Sequence, residues 1–317
     1  MTPRRLSKMR RMVKPILIVA LELAASAIGV LGLGAVPLSA RWGPNGVSNV
    51  AEQSGSKATL KPVAAKPDIP FRAEFDSQAE QQILELANRS RQQAGAAALA
   101  IDPGLSHAAR VHAEAMLEAR ELSHQFEGEP SLPQRLAVAT ALQLDQEGEN
   151  VALDVDPAQA EQHLMLSPPH RANLLNPAYN VVGMGVIRSG DRLYVVQDFG
   201  HALPNYSLAE VKDRIASAVT LARRKASIAE LPRQDFATAD EAACSMAQAD
   251  KLGTPAVHEL AQRYTVLTFT SLHPETLPQG SEHAISGHNL RSFSIGACYA
   301  RTNTYPTGMY WVVLSLE

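Results

Sequence analysis

The chain has 317 residues, 45% of them hydrophobic, and a formal net charge of −3 at pH 7. That length suits two globular domains. Residues 1–40 hold Arg4, Arg5, Lys8, Arg10, Arg11 and Lys14 against the single acid Glu22, a local charge of +5 that leaves −8 on the remainder. A body this acidic argues against nucleic-acid binding, which depends on lysine and arginine.

The first 40 residues read as an export signal or membrane anchor. A basic stretch ends at Lys14, and an apolar stretch follows that closes in small residues, with Ala40 just before a cleavage point. Glu22 costs roughly 2.5–3.5 kcal/mol at the centre of a membrane span, so Leu23–Ala35 fits a short signal core better. Residues 41–72 mix Gly, Pro, Ser, Ala and Lys with almost no aromatic content, the composition of a flexible linker.

Asp76-Ser77 caps a helix, DSQAEQQILELANRSRQQAG, with Gly95 at its stop. A second helix follows in DPGLSHAARVHAEAMLEAR, capped by Asp102 with Pro103 at its first position. His112 shares a face of it with alanines and Met116 and reads as a core histidine. Further helical segments start at Ser131 and near Asp156. In SPPHRANLL, Ser167 is an N-cap and Pro168 the first helical residue, which puts His170 in the first turn. The positive end of the helix dipole disfavours an imidazolium there. A neutral histidine is what a metal ligand or general base requires, although a hydrogen-bonded surface histidine fits the stretch as well.

The period then drops to two. VVGMGVIRSGDRLYVVQDF predicts a hairpin turning at Ser189-Gly190-Asp191. Helices first and a hairpin last predict α+β architecture over residues 73–203. An amphipathic helix within 204–230 reads as a connector, and 231–317 as a small C-terminal α+β domain. Its final hairpin echoes the first: Ile295-Gly296-Ala297-Cys298-Tyr299 resembles Val182-Gly183-Met184-Gly185-Val186. A decayed duplication and convergence on common hairpin chemistry both account for the echo. Cys244 and Cys298 are the two cysteines, and an exported context favours a disulfide over two buried thiols.

Polar residues in three segments look out of place unless they meet: His124 of ELSH, which ends the second helix, Glu149 and Asn150 of EGENVAL, and His170 of SPPH. Two imidazoles and a carboxylate form a zinc-type ligand set with a fourth position left for water. Taken singly, His124 equally suits a helix C-terminus and Glu149 equally suits loop amides. Asn150 reads as a structural residue holding the loop that presents Glu149. Asn173 and Arg171 read as structural residues fixing the SPPH helix to the sheet.

The ordered pieces LELANRSRQQAG, LAIDPGLSHAARVHAEAM, ELSH, GENVAL, SPPHRANLLNPAYNVVGMGV and LYVVQDF resemble the CAP superfamily: cysteine-rich secretory proteins, antigen 5 and pathogenesis-related 1 proteins. They look most like its bacterial SCP-like extracellular branch. The resemblance runs from Asp76 to Phe199. It implies a three-layer α-β-α sandwich whose cleft, in many members, is lined by two histidines and two acids able to hold zinc or another divalent ion. His124, Glu149 and His170 match three of these corners. At the fourth this chain has Ser167, with Glu161 as a possible substitute, and Leu164 stands where a tryptophan is frequent. The resemblance implies no single agreed reaction.

Three functions follow as expectations. The first is an exported binding module, secreted, periplasmic or anchored facing outward. Its His124/Glu149/His170 cleft takes a divalent metal, or a small lipid, peptide or wall-derived ligand, beside a groove of Leu164, Met165 and Leu166. The second is a metal-dependent hydrolase of peptides or wall polymer, with Glu149 as base. The third is a structural envelope protein with a vestigial cleft. No organic cofactor is expected. Ser123 and Ser167 adjoin the histidines in sequence, but neighbours rarely meet a nucleophile's geometry, and there is no G-x-S-x-G elbow.

Overall fold

A computed structural model of the protein describes residues 18–21 and 74–317. The predicted export segment and linker lie outside these residues, apart from Ile18–Leu21, a short strand (β1). No helix among the described residues is long and apolar enough to cross a membrane.

The first lobe starts with the short strand β2 (Glu74–Phe75) and then follows its capping residues. Asp76 accepts the Ala79 N–H and opens α1 (Ser77–Gln93). β3 (Ala100–Ile101) leads to Asp102, which accepts the Leu105 N–H and opens α2 (Pro103–Ala119). Ser131 opens α3 (Leu132–Ala139). After strand β4 (Gln143–Asp154), Asp156 accepts the Gln159 N–H and opens α4 (Pro157–Leu166). α5 (Pro168–Leu175) follows at Ser167, whose side chain makes no capping bond. The predicted hairpin is β5 (Val181–Ser189) and β6 (Arg192–Leu203).

The sheet runs β2-β5-β6-β4, with β3 beside β5. Strand alternation sends successive side chains of β6 to opposite faces. Leu193, Val195 and Phe199 pack with Ile83 of α1, Leu164 of α4 and Leu174 of α5, whereas Tyr194 and Val196 pack with Ala109, Ala113 and Met116 of α2. This is the three-layer α-β-α sandwich. α2 ends at Ala119 with Arg120 in the left-handed conformation, so His124 lies in the following loop and does not end the helix.

The second lobe repeats this order. α6 (Leu208–Lys225), α7 (Ala237–Ala249), α8 (Pro255–Ala261), β7 (Thr265–Ser271), α9 (Glu282–Ile285), β8 (Phe293–Ala300) and β9 (Met309–Leu316) build a sheet ordered β1-β7-β9-β8. α6, read from sequence as a connector, belongs to this lobe's core. Its Val211, Ile215 and Val219 pack on Leu267, Phe269 and Ile295, because its apolar stripe faces the sheet. Cys244 and Cys298 form a disulfide that ties α7 to β8.

The two lobes agree in detail. Arg91 of α1 donates Nε to the carbonyl six residues on, at Ala97, and Arg223 of α6 does the same to Ala229, each at 2.7 Å. α2 and α7 both end in left-handed caps, Arg120 (φ 56°) and Asp250 (φ 48°). The next N–H returns to Met116 in one lobe and Met246 in the other. Gly185 of β5 lies against Ala109, and Gly296 of β8 against Ala239; a Cβ would come within 2.3 and 2.0 Å of the respective helix backbone. Ala109 and Ala239 each stand seven residues before those methionines. Gly296 therefore corresponds to Gly185 and not, as the hairpin echo suggests, to Gly183. Shared order, shared register and the paired buried arginines support duplication over convergence.

Several side chains join the lobes. Arg301 donates to the carbonyls of Ala137 and Thr140. The Tyr310 hydroxyl accepts from Gln143 and from the Tyr206 N–H. Asp145 lies between His201 (2.6 Å) and His273 (3.1 Å).

Candidate functional site

The site lies at the outer strand of the first sheet, where β4 meets the loop after α2 and the helix α5. Glu149 and Asn150 are consecutive strand residues and so point to opposite faces. Glu149 shares the α2 face with Asp198, its cross-strand neighbour, and Asn150 shares the α5 face with Gln197.

On the α5 face, Asn150 donates Nδ2 to the His170 carbonyl (3.0 Å) and to Gln197 Oε1 (3.1 Å). Asn173 donates Nδ2 to the Glu149 carbonyl (3.0 Å) and Asn150 Oδ1 (3.1 Å). These bonds tie α5 to β4, the part the sequence suggested for Asn173; Asn150 holds no loop, because Glu149 beside it lies on strand β4 itself. Arg171 does not share the part of Asn173. Its side chain is exposed and makes no side-chain hydrogen bond or ion pair among the described residues, because its place on the short helix points it to solvent.

On the α2 face, Glu149 is buried and both its oxygens are engaged. Oε1 lies 2.9 Å from His124 Nδ1, and Oε2 pairs with the Arg135 guanidinium. His124 is 54% exposed, and its ring stands 6.0 Å from that of His170, centroid to centroid. The structure thus brings together all three predicted site residues: His124 and His170 side by side, with Glu149 behind the first. Burial, and secondarily the neighbouring His124, holds His170 below the usual histidine range. The helix dipole, expected from the sequence to lower it, is not among the causes.

The surroundings add residues the sequence did not single out. Asp198 is buried beside Glu149, and burial together with that neighbouring acid pushes its carboxyl well above the usual range. Arg135 and Glu129 complete the buried group. Glu161, the suggested substitute corner, lies behind the site on the α4 layer, hydrogen-bonded to Ser90 (3.1 Å). Burial raises its pKa to about 7. Leu164 is buried in the core and Leu166 is exposed, so with half-buried Met165 they do not form a groove beside the histidines. Helical rotation separates consecutive residues by too wide an angle for all three to share one face.

A catalytic zinc takes three protein ligands, and a structural one four. The cleft offers the two imidazoles, with the Glu149 oxygens already committed. No group of three or more His, Cys, Asp or Glu among the described residues is arranged to hold a metal ion. As they stand, the residues fall short of a resident zinc site.

Comparisons with known proteins match the first lobe. Residues 84–199 match the CAP family, described as the cysteine-rich secretory protein family. Two Bacillus subtilis proteins are similar over this region. The uncharacterized protein YkwD is 32% identical over 112 residues, covering 35% of this chain and 43% of its own. The uncharacterized membrane protein YlbC is 37% identical over 121 residues, covering 38% of this chain and 34% of its own. The chain therefore spans less than half the length of either relative. Among solved structures, an extracellular SCP-domain protein from Bacillus anthracis is 29% identical, with a TM-score of 0.36, covering 40% of this chain and 41% of that one. Na-ASP-1 is 8% identical, with a TM-score of 0.46, covering 76% of this chain and 89% of that one. The family match thus falls within the first lobe, from residue 84 to residue 199.

Proposed function

We propose that the protein is an exported binding module whose first-lobe cleft anchors the polar end of a small ligand through His124 and His170. The observation that carries this reading is the pair of partly exposed imidazoles 6.0 Å apart, one backed by a buried carboxyl. With Nδ1 of His124 turned to Glu149, the other ring nitrogen of the neutral imidazole offers a lone pair to the cleft. Lone pairs recognise donors: the hydroxyls of a wall glycan, the amides of a peptide or the head group of a lipid. A divalent ion is the other ligand such nitrogens accept, with water completing its shell. The Cys244–Cys298 disulfide and the basic-then-apolar N-terminus support an oxidising, extracytoplasmic setting.

The hydrolase reading with Glu149 as base draws less support. A base needs a free oxygen within reach of a water, and both Glu149 oxygens are engaged behind His124.

The test is calorimetry on the full chain beside His124→Ala and His170→Ala, titrating zinc chloride and then soluble wall muropeptides. Saturable one-to-one binding of either probe, lost in both variants, is the expected outcome. Binding that survives both substitutions would overturn the reading, as would binding of neither probe.

A further inference from the structure

The loop that carries His124 has little backbone pairing of its own and is braced internally by exposed side chains, Ser123 Oγ donating to the Gln125 carbonyl (2.8 Å) and Gln125 Nε2 to the Glu129 carbonyl (2.5 Å). Among the described residues its one internal backbone hydrogen bond runs from the Glu129 N–H to the Phe126 carbonyl (3.2 Å). An exposed histidine on such a loop would sample several rotamers, and fixing one on binding costs about 0.5–1.5 kcal/mol. The loop is nevertheless held from beneath at several points, all reached from two buried cationic or imidazole side chains and one acid.

Arg135 of α3 is buried. Its Nη2 pairs with Glu149 Oε2, while Nη1 reaches the His124 carbonyl (3.5 Å), the Pro130 carbonyl (3.5 Å) and Glu129 Oε1 (3.4 Å). One guanidinium thus touches both the backbone of His124 and the carboxyl that orients its ring. His112 of α2 is fully buried and meets the loop one residue before His124. Its Nε2 lies 2.9 Å from the Ser123 carbonyl, which can only accept, so Nε2 carries a hydrogen. Its Nδ1 lies 2.7 Å from Glu129 Oε1, and Glu129 Oε2 accepts the Phe126 N–H (3.1 Å). Ser123, His124, Phe126 and Pro130 are thereby fixed in succession.

The second lobe shows that these groups come as a set. With Met116 and Met246 aligned and Gly185 matched to Gly296, Ala242 stands at His112, Val266 at Glu149 and Ser315 at Asp198, while the short turn from Asp250 to Thr254, which matches Ser131 as the residue before its helix, leaves no counterpart of the 123–130 loop or of His124. The scaffold survives there, and the exposed imidazole and its supports are missing together. Groups needed only for folding would have reason to persist with the scaffold.

We propose that Arg135 and His112 are positioning residues of the cleft. They hold Glu149 and the 123–130 loop so that His124 presents its ring with Nδ1–H turned inward and Nε2 free. This rests on the proposed binding role of His124, but its primary test does not require a ligand.

The experiment is two-bond ¹H–¹⁵N correlation of the histidine rings in the ¹⁵N-labelled full chain, at mildly alkaline pH above the usual histidine range. His124 is assigned by its absence in His124→Ala. The wild type should show His124 as the Nδ1–H tautomer. Arg135→Met leaves two buried acids without their cation and is at risk of not folding. Arg135→Lys keeps the charge but loses the planar fork. In Arg135→Lys the His124 signals should move towards an average of both tautomers. An Nε2–H tautomer in the wild type would overturn the proposal, as would unchanged His124 signals in folded Arg135→Lys. If the tautomer behaves as expected but neither zinc nor muropeptide binds the wild type, positioning stands and the binding reading falls.

Discussion

Where the first lobe buries Glu149 against Arg135 and Asp198, the second packs Val266 against Trp311 and Val313. Both positions lie on the corresponding strand, facing the corresponding helix layer. One lobe keeps titratable groups under its outer strand and exposes an imidazole above them. The other fills the same space with apolar side chains and adds a disulfide from its helix to its sheet. The sandwich evidently does not need the polar cluster. Burying ionisable groups is costly unless they are paired, and an apolar replacement is often neutral or stabilising. That the first lobe retains the cluster argues that it serves the cleft more than the fold.

The paired arginines allow the strongest test of the shared scaffold. Arg91 donates to the carbonyls of Ala97, Leu174, Asn176 and Tyr179, and Arg223 to those of Ala229, Ile285 and Gly287. Carbonyls left without a donor cost about 1–3 kcal/mol each, partly recovered by water. Arg91→Met should therefore destabilise the first lobe by about 5 kcal/mol, and Arg223→Met the second by slightly less, in denaturant unfolding followed by lobe-specific hydrogen exchange. Near-neutral effects would undo the argument that the arginines are matched anchors.

The disulfide sharpens the contrast. Its cysteines are 54 residues apart, and closing a loop of that size stabilises by about 4 kcal/mol on the entropy model. The Cys244→Ala/Cys298→Ala double variant should lose that stability in the second lobe and leave the His124 and His170 ring signals in place. A shift of those signals would mean that the cleft depends on the second lobe.

Glu161 should make the first lobe respond to pH. Its pKa rises from 4.5 to about 7 through burial, so the folded state favours the protonated form. Below about pH 4.5 the group is neutral in both states and costs nothing. Between about 4.5 and 7 the unfolded chain releases its proton first, and stability falls by about 3 kcal/mol as pH rises. Glu161→Gln should remove that part of the slope, leaving the part that the raised carboxyl of Asp198 contributes, and stabilise the lobe at pH 8. An unchanged slope would assign the effect elsewhere.

The smallest effect concerns close packing. Gly185→Ala and Gly296→Ala each drive a Cβ against helix backbone and should each cost about 1–3 kcal/mol, the usual range for overpacking. Similar losses at both positions, measured by thermal unfolding, would support the matched register. A loss at only one would separate the lobes' packing.

Much of this was legible before the structure. Asp76, Asp102 and Asp156 mark helix starts because a short acceptor side chain at that position satisfies a free N–H nearby in sequence. The period-two run of Val181–Phe199 marks its hairpin because strand alternation is a local property. The ordered motifs ELSH, GEN and SPPH indicated which residues meet. The two cysteines and the exported context indicated the bridge. Each of these depends on neighbours along the chain or on a recurring pattern.

What the tertiary structure alone decided depends on partners far apart in sequence. Nothing in PQRLAVA shows that Arg135 reaches Glu149 fourteen residues on while touching the carbonyl of His124 eleven residues back. Nothing in VVQDF shows that Asp198 lies buried beside that pair. His170 owes its lowered pKa to burial and to His124, where the sequence argument looked to its own helix. The repeat was half visible in two hairpins. Confirming it took the strand register, the buried arginines and the left-handed caps, because the sequence itself has drifted. Desolvation and charge pairing are set by what packs around a group, and packing is a property of the folded chain.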